Sequence, residues 1–595
     1  MRYFTGDTSY FKKTMLLGIM IGLISGFGAL FFFWGLKYGS LFFMDWIVNY
    51  TVPREGQTAA QIAGWTPPVN IWLILPVISF GALLSGLLVY TFAPEAEGHG
   101  TDAAIRAFHK EGRIRPRVVI VKAVSSILTI STGGSAGREG PTAQISAGFG
   151  SVMSDVFKLS EHERRIAIAT GIGAGIATIF KAPLGGALLA AEILYYRDFE
   201  SEAVVPAFLA SIIGYSIFGY FEGYDPIFSG AEISWNVTQI PFFLVLGVFC
   251  SAFGLLYIKT FYSTKDLFSG FFTKHHIPNH FKPLAGAVII GLFVIALAHI
   301  SHDTMIAALG GLGAGYGFIQ LSVYNMLPLT VLLLLPFIKI ITTSLTIGSG
   351  GSGGVFAPGL VIGGAVGGAL GMLFHFFIPE IIPLATVPAF VIVGMISLFG
   401  GISNAPIAVM IMVVEMSGDF SLLVPAMGAV AISTILTGDS TIFREQVPTK
   451  AQSGAHRGEY NVEILEDITA REAMTKKEDL ICISPSDSAK EVIKIMDESL
   501  HTGFPVIEDG KLVGIVTMRN IRKEMDNSED VEIGEIMVKE LITINAGSSL
   551  EKALSVMMSN AIHHLPVVDD NDPEKLEGFI TSTDIMRAYT KRMNK

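Results

Sequence analysis

The apolar positions of this chain fall in long blocks, not in alternating stripes. MLLGIMIGLISGFGALFFFWGL (15 to 36), IWLILPVISFGALLSGLLVYTFA (71 to 93), FFLVLGVFCSAFGLLYI (242 to 258), AGAVIIGLFVIALAHI (285 to 300) and FVIVGMISLFG (390 to 400) are examples. A helix of about 20 apolar residues crosses a bilayer, and several blocks reach that length while others are too short or too glycine-broken to cross alone. That mixture predicts tilted and broken helices. Near residue 445 the pattern changes: REQVPTKAQSGAHRGEYN is polar, carries a proline and reads as a linker. Beyond it, segments 471 to 521 and 534 to 585 repeat one order. A short apolar strand leads to a helix of period near 3.6, a strand containing F/L-P-V, a turn, and a strand that opens with Gly and ends in Thr.

Composition agrees with the blocks. Hydrophobic residues are 51% of the chain and charged residues only 16%, which puts most of it in a membrane. Lys12 and Lys13 precede the first block without a cleavage-type site, so it reads as an uncleaved first helix with a cytoplasmic N-terminus. The net charge of −11 argues against a nucleic-acid partner. Cys250 and Cys482 have neither metal-ligand nor disulfide spacing, no catalytic constellation is visible, and no cofactor is required. The chain does not read as an enzyme, and no metal site is expected.

The membrane half also repeats. FKAPLGGALLAAE (180 to 192) and SNAPIAVMIMVVE (403 to 415) each place a Glu ten positions after the Ala of Ala-Pro, and each follows a glycine-rich stretch, GGSAGREGP or GSGGSGGVFAPG. Internal symmetry of this kind marks transporters that bind substrate at mid-membrane between broken helices, with residues 1 to about 225 and about 235 to 448 as the repeats. Glycine lets non-helical backbone approach an ion closely, and a helix starting there aims free N–H groups and about half a positive charge at the cavity. Such a cavity suits an anion. The lone acid of these glycine segments is Glu139.

GREGP (137 to 141), GSGGVFAP (351 to 358) and APEAEGHGTD (93 to 102) resemble the three selectivity-filter segments of the CLC family of chloride channels and chloride/proton exchangers, and the tail resembles a tandem pair of CBS domains. The resemblance implies an all-α polytopic membrane domain over 1–448, built as an inverted repeat of tilted, broken helices. A linker over 449–465 and an α/β CBS pair over 466–527 and 528–595 follow. It implies a homodimer in the cell membrane, in contact with lipid, with cytoplasmic CBS domains. Glu139 is then the gate, whose ionised carboxylate occupies an anion site and whose protonation releases it. The anion-binding residues implied are His99, Gly100, Arg138, Gly140, Gly354, Val355, Phe356, Ala357 and Phe443. The rival structural role for Glu139 is an ion pair with Arg138.

Three positions depart from the family pattern. His99 stands where a serine is common, and backbone coordination there is the favoured expectation. Phe443 replaces the inner-gate tyrosine. Ile193 takes the place of the acid that relays protons in exchangers, while Glu192 and Glu415 read as buried helix residues bonded to backbone. The combination implies chloride transport by a slow or weakly coupled chloride/proton antiporter, with an uncoupled chloride channel as the alternative and a CBS-linked divalent-cation transporter as a remote one. In the tail the resemblance implies ATP or another adenine nucleotide at Thr581, Thr583, Asp584 and Pro566, with Asn520 replacing the corresponding acid in the first repeat. Thr583 and Asp584 serve equally well as an N-cap.

Overall fold

The computed structural model describes residues 8–228, 233–456, 465–499, 501–525, 531–560, 562–570, 572 and 575–593. Residues 457–464 of the expected linker and 229–232 between the two repeats lie outside the described residues. The chain divides into two compact units, one ending at Ala455 and one beginning at His456.

The first unit is helical. Its first repeat runs α1 (Thr8–Ser40), α2 (Ala59–Ala63), α3 (Ile74–Phe92), α4 (Thr101–Arg106), α5 (Pro116–Ser131), α6 (Glu139–Val156), α7 (Glu161–Phe180), α8 (Pro183–Glu192) and α9 (Ser201–Glu222). The second runs α10 (Ile240–Lys274), α11 (Lys282–Ala298), α12 (His302–Gly310), α13 (Tyr316–Val323), α14 (Leu329–Ile347), α15 (Phe356–Phe377), α16 (Val387–Ser403), α17 (Pro406–Ser417) and α18 (Leu423–Thr437). Among the described residues nine helical segments are long and apolar enough to cross a membrane. Between them lie partial helices such as α4, α8, α13 and α17, of 6, 10, 8 and 12 residues.

Broken helices leave backbone polar groups unpaired at membrane depth, where water cannot serve them, so each must find a partner in the protein. The two repeats supply those partners to each other. The glycine loop before α6 pairs with the one before α15: Gly137 N–H donates to Gly354 O at 2.8 Å and Gly354 N–H to Gly137 O at 2.7 Å. At the other breaks the exchange uses side chains. Glu192, the last residue of α8, accepts from Ile407 N (3.2 Å) and Ala408 N (2.7 Å) at the start of α17. Glu415, near the end of α17, accepts from Leu184 N (3.1 Å) and Gly185 N (2.8 Å) at the start of α8. Each repeat thus caps the other's broken helix with a carboxylate, the arrangement expected of two buried acids bonded to backbone.

Two fully buried lysines serve carbonyls in the same symmetric way. Lys122 of α5 donates to Gly98 O (2.7 Å) and Ala96 O (3.0 Å). Lys339 of α14 donates to Gly313 O at 2.8 Å, with Gly310 O, Gly311 O and Leu312 O each at 3.4 Å. Gly313 and Gly315 precede α13 as Gly98 and Gly100 precede α4. The segment 311–315 is therefore a fourth glycine break, which the filter-segment comparison did not identify.

The second unit is α/β. Strands β1 (Thr475–Lys476), β2 (Gly503–Glu508), β3 (Lys511–Thr517), β4 (Ile544–Asn545), β5 (His564–Val568) and β6 (Leu576–Thr581) form a four-stranded sheet of order β1-β6-β5-β4 and a two-stranded sheet β2-β3. The two sequence repeats exchange their leading segments. Thr475 pairs with Phe579 across β1 and β6, while Val538 bridges to Ile515 of β3. One core joins Leu465, Ile468 and Ala470 to Leu565, Val567 and Ile580. The other joins Phe504, Val506 and Val516 to Ile533. Neither repeat closes its own core.

If the reciprocal caps hold the breaks together, Glu415→Ala leaves two N–H groups at the start of α8 without a partner. A loss of about 1–3 kcal/mol per buried donor follows, seen as a lowered melting temperature of the detergent-purified chain. Glu415→Gln, which keeps an acceptor oxygen, recovers most of that loss; equal melting temperatures for wild type and Glu415→Ala would contradict the capping role.

Candidate functional site

Glu139 begins α6, and its side chain crosses to the start of α15. Its Oε1 accepts from Phe356 N at 2.7 Å and Ala357 N at 3.0 Å, and the residue is 2% exposed. The first N–H groups of a helix have no intrahelical partner and carry the positive end of its dipole, so this amide pair is a cradle for one negative charge. The carboxylate fills it. Glycine is required around it by space: a Cβ on Gly137 or Gly354 would overlap the carboxylate itself, and one on Gly140 would overlap the His99 carbonyl. The paired loops bring Gly137, Glu139, Gly140, Gly354, Phe356 and Ala357 together around this point.

Gly354 gives its N–H to Gly137 O and so shapes the cradle without donating into it. The Val355 carbonyl accepts from the Tyr257 hydroxyl at 3.2 Å. Arg138, despite standing next to Glu139, turns the other way. Its Nη1 donates to Glu55 Oε1 at 2.8 Å, and its guanidinium lies over the rings of Tyr316, Phe33 and Phe180 with 4.9, 5.4 and 5.9 Å to the centroids. Arg138 therefore makes its ion pair with Glu55, and not with Glu139 as the rival structural role required. Glu55 lies in the segment before α2, 83 residues away from Arg138, and no motif marks it.

On the other side of the cradle stands the α4 segment. Gly100, with φ +82°, lets the chain turn into α4. His99 folds back on that helix: Asp102 N donates to its Nδ1 (3.4 Å), and its Nε2 lies 3.1 Å from Asp102 Oδ2. An accepting Nδ1 puts the proton on Nε2, which donates to Asp102 Oδ2, so both ring nitrogens are engaged by Asp102. The imidazole packs 5.6 Å from the Phe443 ring, and Phe443 in turn lies 6.2 Å from Phe399. Ile193 is buried in the core at the end of α8. Its carbonyl accepts from Gln446 Nε2 at 2.8 Å, and that amide also reaches Ser403 O at 2.9 Å. Gln446 thus ties α8 to α16 beneath Phe443, a role that no sequence feature announces.

In the tail, Asp584 Oδ2 accepts from Thr581 N (3.0 Å) and Thr581 Oγ1 (2.6 Å), and Asp584 N donates back to Thr581 Oγ1 at 3.3 Å. Asn520 makes the same set of bonds with Thr517 in the first repeat. The helix of the second repeat begins at Ser582, so its N-cap is Thr581, with Asp584 as the capping-box partner three residues on and Thr583 inside the first turn, where neither is the N-cap expected of them; Thr517 and Asn520 stand in the same relation. Thr583 is exposed, and Pro566 lies in β5 opposite Phe579.

Residues 81–438 match the family described as "Voltage gated chloride channel", and residues 467–527 and 533–591 each match the CBS domain. The chain is similar to the H(+)/Cl(-) exchange transporter ClcA of Vibrio cholerae serotype O1, with 29% identity over 439 residues that cover 72% of this chain and 87% of that protein. Its counterpart in Yersinia pestis bv. Antiqua is 27% identical over 435 residues, covering 71% and 85%. Among solved structures, a slow cyanobacterial Cl-/H+ antiporter matches with a TM-score of 0.58 and 25% identity, over 71% of this chain and 94% of that one. A eukaryotic CLC transporter matches over 97% of this chain and 98% of its own with a TM-score of 0.54; at 18% identity it speaks to the fold alone.

Removal of the carboxylate by Glu139→Ala exposes the amides of Phe356 and Ala357. In halide-free buffer, hydrogen exchange of the segment 354–358 speeds by about tenfold or more, as expected for the loss of charge-assisted acceptors. Unchanged protection would mean that the cradle is held by something else.

Proposed function

Because the chain belongs to the voltage-gated chloride channel family, we propose that it moves chloride across the membrane past the paired glycine loops, in exchange for protons, with Glu139 as the gate. The observation that carries this reading is the carboxylate seated on the Phe356 and Ala357 amides. One cradle cannot hold two anions. An ionised Glu139 competes with chloride for the same donors; a protonated Glu139 is a weaker acceptor, carries no charge and yields the cradle to chloride. Occupancy by chloride and protonation of Glu139 are therefore linked events. Arg138 does not relieve the competition, since its charge is held by Glu55.

The contacts around the inner gate favour slow turnover. Phe443 is buried between His99 and Phe399, so an anion leaving the cradle in that direction meets a ring that must move. Ile193 cannot carry a proton, and protons on that side travel by water or by a pair such as His99 and Asp102, which weakens the coupling. The same Ile193 favours a second reading, an uncoupled channel. We place the protein in the cell membrane as a homodimer with its CBS pair in the cytoplasm.

For the tail we propose an adenine nucleotide site at the CBS pair that includes Asp584, Thr581, Thr583 and Pro566 and regulates transport. Oδ2 of Asp584 bonds back to the N-cap Thr581, while Oδ1 has an ion-pair neighbour, Arg587 Nη1, at 3.9 Å, beyond hydrogen-bond range. A free carboxylate oxygen beside a cap can take a ribose hydroxyl.

Two experiments test these proposals. In sealed liposomes carrying a chloride gradient, with the potential clamped by a potassium ionophore, the wild type drives protons uphill and Glu139→Gln stops proton movement. Rapid chloride flux without protons would establish the channel reading, and the absence of chloride flux would overturn both. In the full chain, Asp584→Asn keeps the bonds to Thr581, as Asn520 makes them to Thr517 in the first repeat, but weakens adenine-nucleotide binding by about 1.5–3 kcal/mol. Nucleotide binding unaltered by that change would leave Asp584 a capping-box partner alone.

A further inference from the structure

The symmetry that pairs α4 with α13 has a consequence on the Arg138 side of the gate. The start of α13 opens onto a vestibule of about 470 Å³ at the end of α1 remote from its N-terminus. Gly313, Gly315 and Tyr316 line it together with Arg138, Lys181 and Glu55. Gly315, with φ +87°, turns the chain into α13, and the helix directs its first N–H groups and its positive dipole end at this space.

Polar atoms in the wall lack partners. The Tyr316 hydroxyl belongs to a residue only 3% exposed, has the Arg138 side chain as a polar neighbour, and makes no hydrogen bond within 3.5 Å among the described residues. Arg138, 7% exposed, uses Nη1 on Glu55, while its buried Nε has none. Lys181, held at the end of α7 in a left-handed turn (φ +53°), points its ammonium at the carbonyls of Glu222 (3.0 Å) and Asp225 (3.4 Å), with no carboxylate in bonding contact. A buried hydroxyl and a guanidinium N–H left unbonded are costly unless something bonds them, and every donor here is suited to a negative charge.

We propose that this vestibule holds a second anion site, separate from the Phe356 and Ala357 cradle, in which a monovalent anion is bound by the Tyr316 hydroxyl, Arg138 Nε, Lys181 and the start of α13. The inference rests on the transport reading above, and takes the site's occupant to be the transported halide awaiting displacement of Glu139. Glu55 sets its strength. By holding Arg138 Nη1 it cancels part of the charge, so the anion is retained weakly enough to move on.

The test uses bromide, located by anomalous scattering in crystals of the full chain. A bromide within hydrogen-bond reach of the Tyr316 hydroxyl, and its loss in Tyr316→Phe crystals soaked alike, is the expected result. Tyr316→Phe removes one oxygen from a packed ring, and in liposome uptake it raises the half-saturating chloride concentration about tenfold, the value of one hydrogen bond to a charged group. Bromide at the pore cradle with none in the vestibule, or an unchanged half-saturation, overturns this site and leaves the transport reading standing. Bromide at neither place likewise overturns this site, since the carboxylate of Glu139 fills the cradle, and the transport reading falls only if the wild type takes up no chloride.

Discussion

Everything in the membrane unit depends on one constraint: helices broken at membrane depth must have their free backbone groups bonded inside the protein. This chain meets it through its internal symmetry. Gly137 and Gly354 bond each other, Glu192 and Glu415 each cap the other repeat's helix, and Lys122 and Lys339 bond the carbonyls ahead of α4 and α13. With those groups paired, the first amides of α15 are taken by the carboxylate of Glu139, which reaches them from the other repeat. The proposed function rests on that geometry: on this reading, a site satisfied by the protein's own carboxylate accepts chloride only when the carboxylate gives way.

The fourfold use of glycine follows the same logic. At Gly137 and Gly354 a methyl group would occupy the space of the carboxylate. At Gly100 and Gly315 the positive φ turns the chain into α4 and α13. Charge is arranged around these breaks with similar economy. Arg138 stands next to Glu139 yet is held by Glu55 and three aromatic rings, which keeps a fixed cation from pairing with the Glu139 carboxylate.

Much of this was legible in the sequence because it is carried by spacing. The Ala-Pro-to-Glu interval of ten marked Glu192 and Glu415 as mates, the glycine loops marked the breaks, and the strand-helix-strand pattern marked the tail. A further regularity was available: Lys122 and Lys339, each alone in an apolar run, both stand fifteen positions before the bonded glycines Gly137 and Gly354. GLGAGYG before α13 likewise mirrors GHGTD before α4. What spacing does not carry is the choice of partner between distant segments. Glu55 on Arg138, Gln446 beneath Phe443 and the exchange of leading strands in the tail, Thr475 with Phe579, are set by tertiary packing. For His99 the residue type left open a ring donor or, as favoured, backbone coordination; Asp102 three residues later engages both ring nitrogens.

The central claim is that chloride and an ionised Glu139 cannot share the Phe356 and Ala357 amides. Calorimetric titration of chloride into the purified chain, repeated in two buffers of different ionisation enthalpy, measures the protons taken up as chloride binds. The account predicts net proton uptake in the wild type, carried by Glu139 and abolished in Glu139→Gln, whereas heats that are the same in both buffers for the wild type would contradict it.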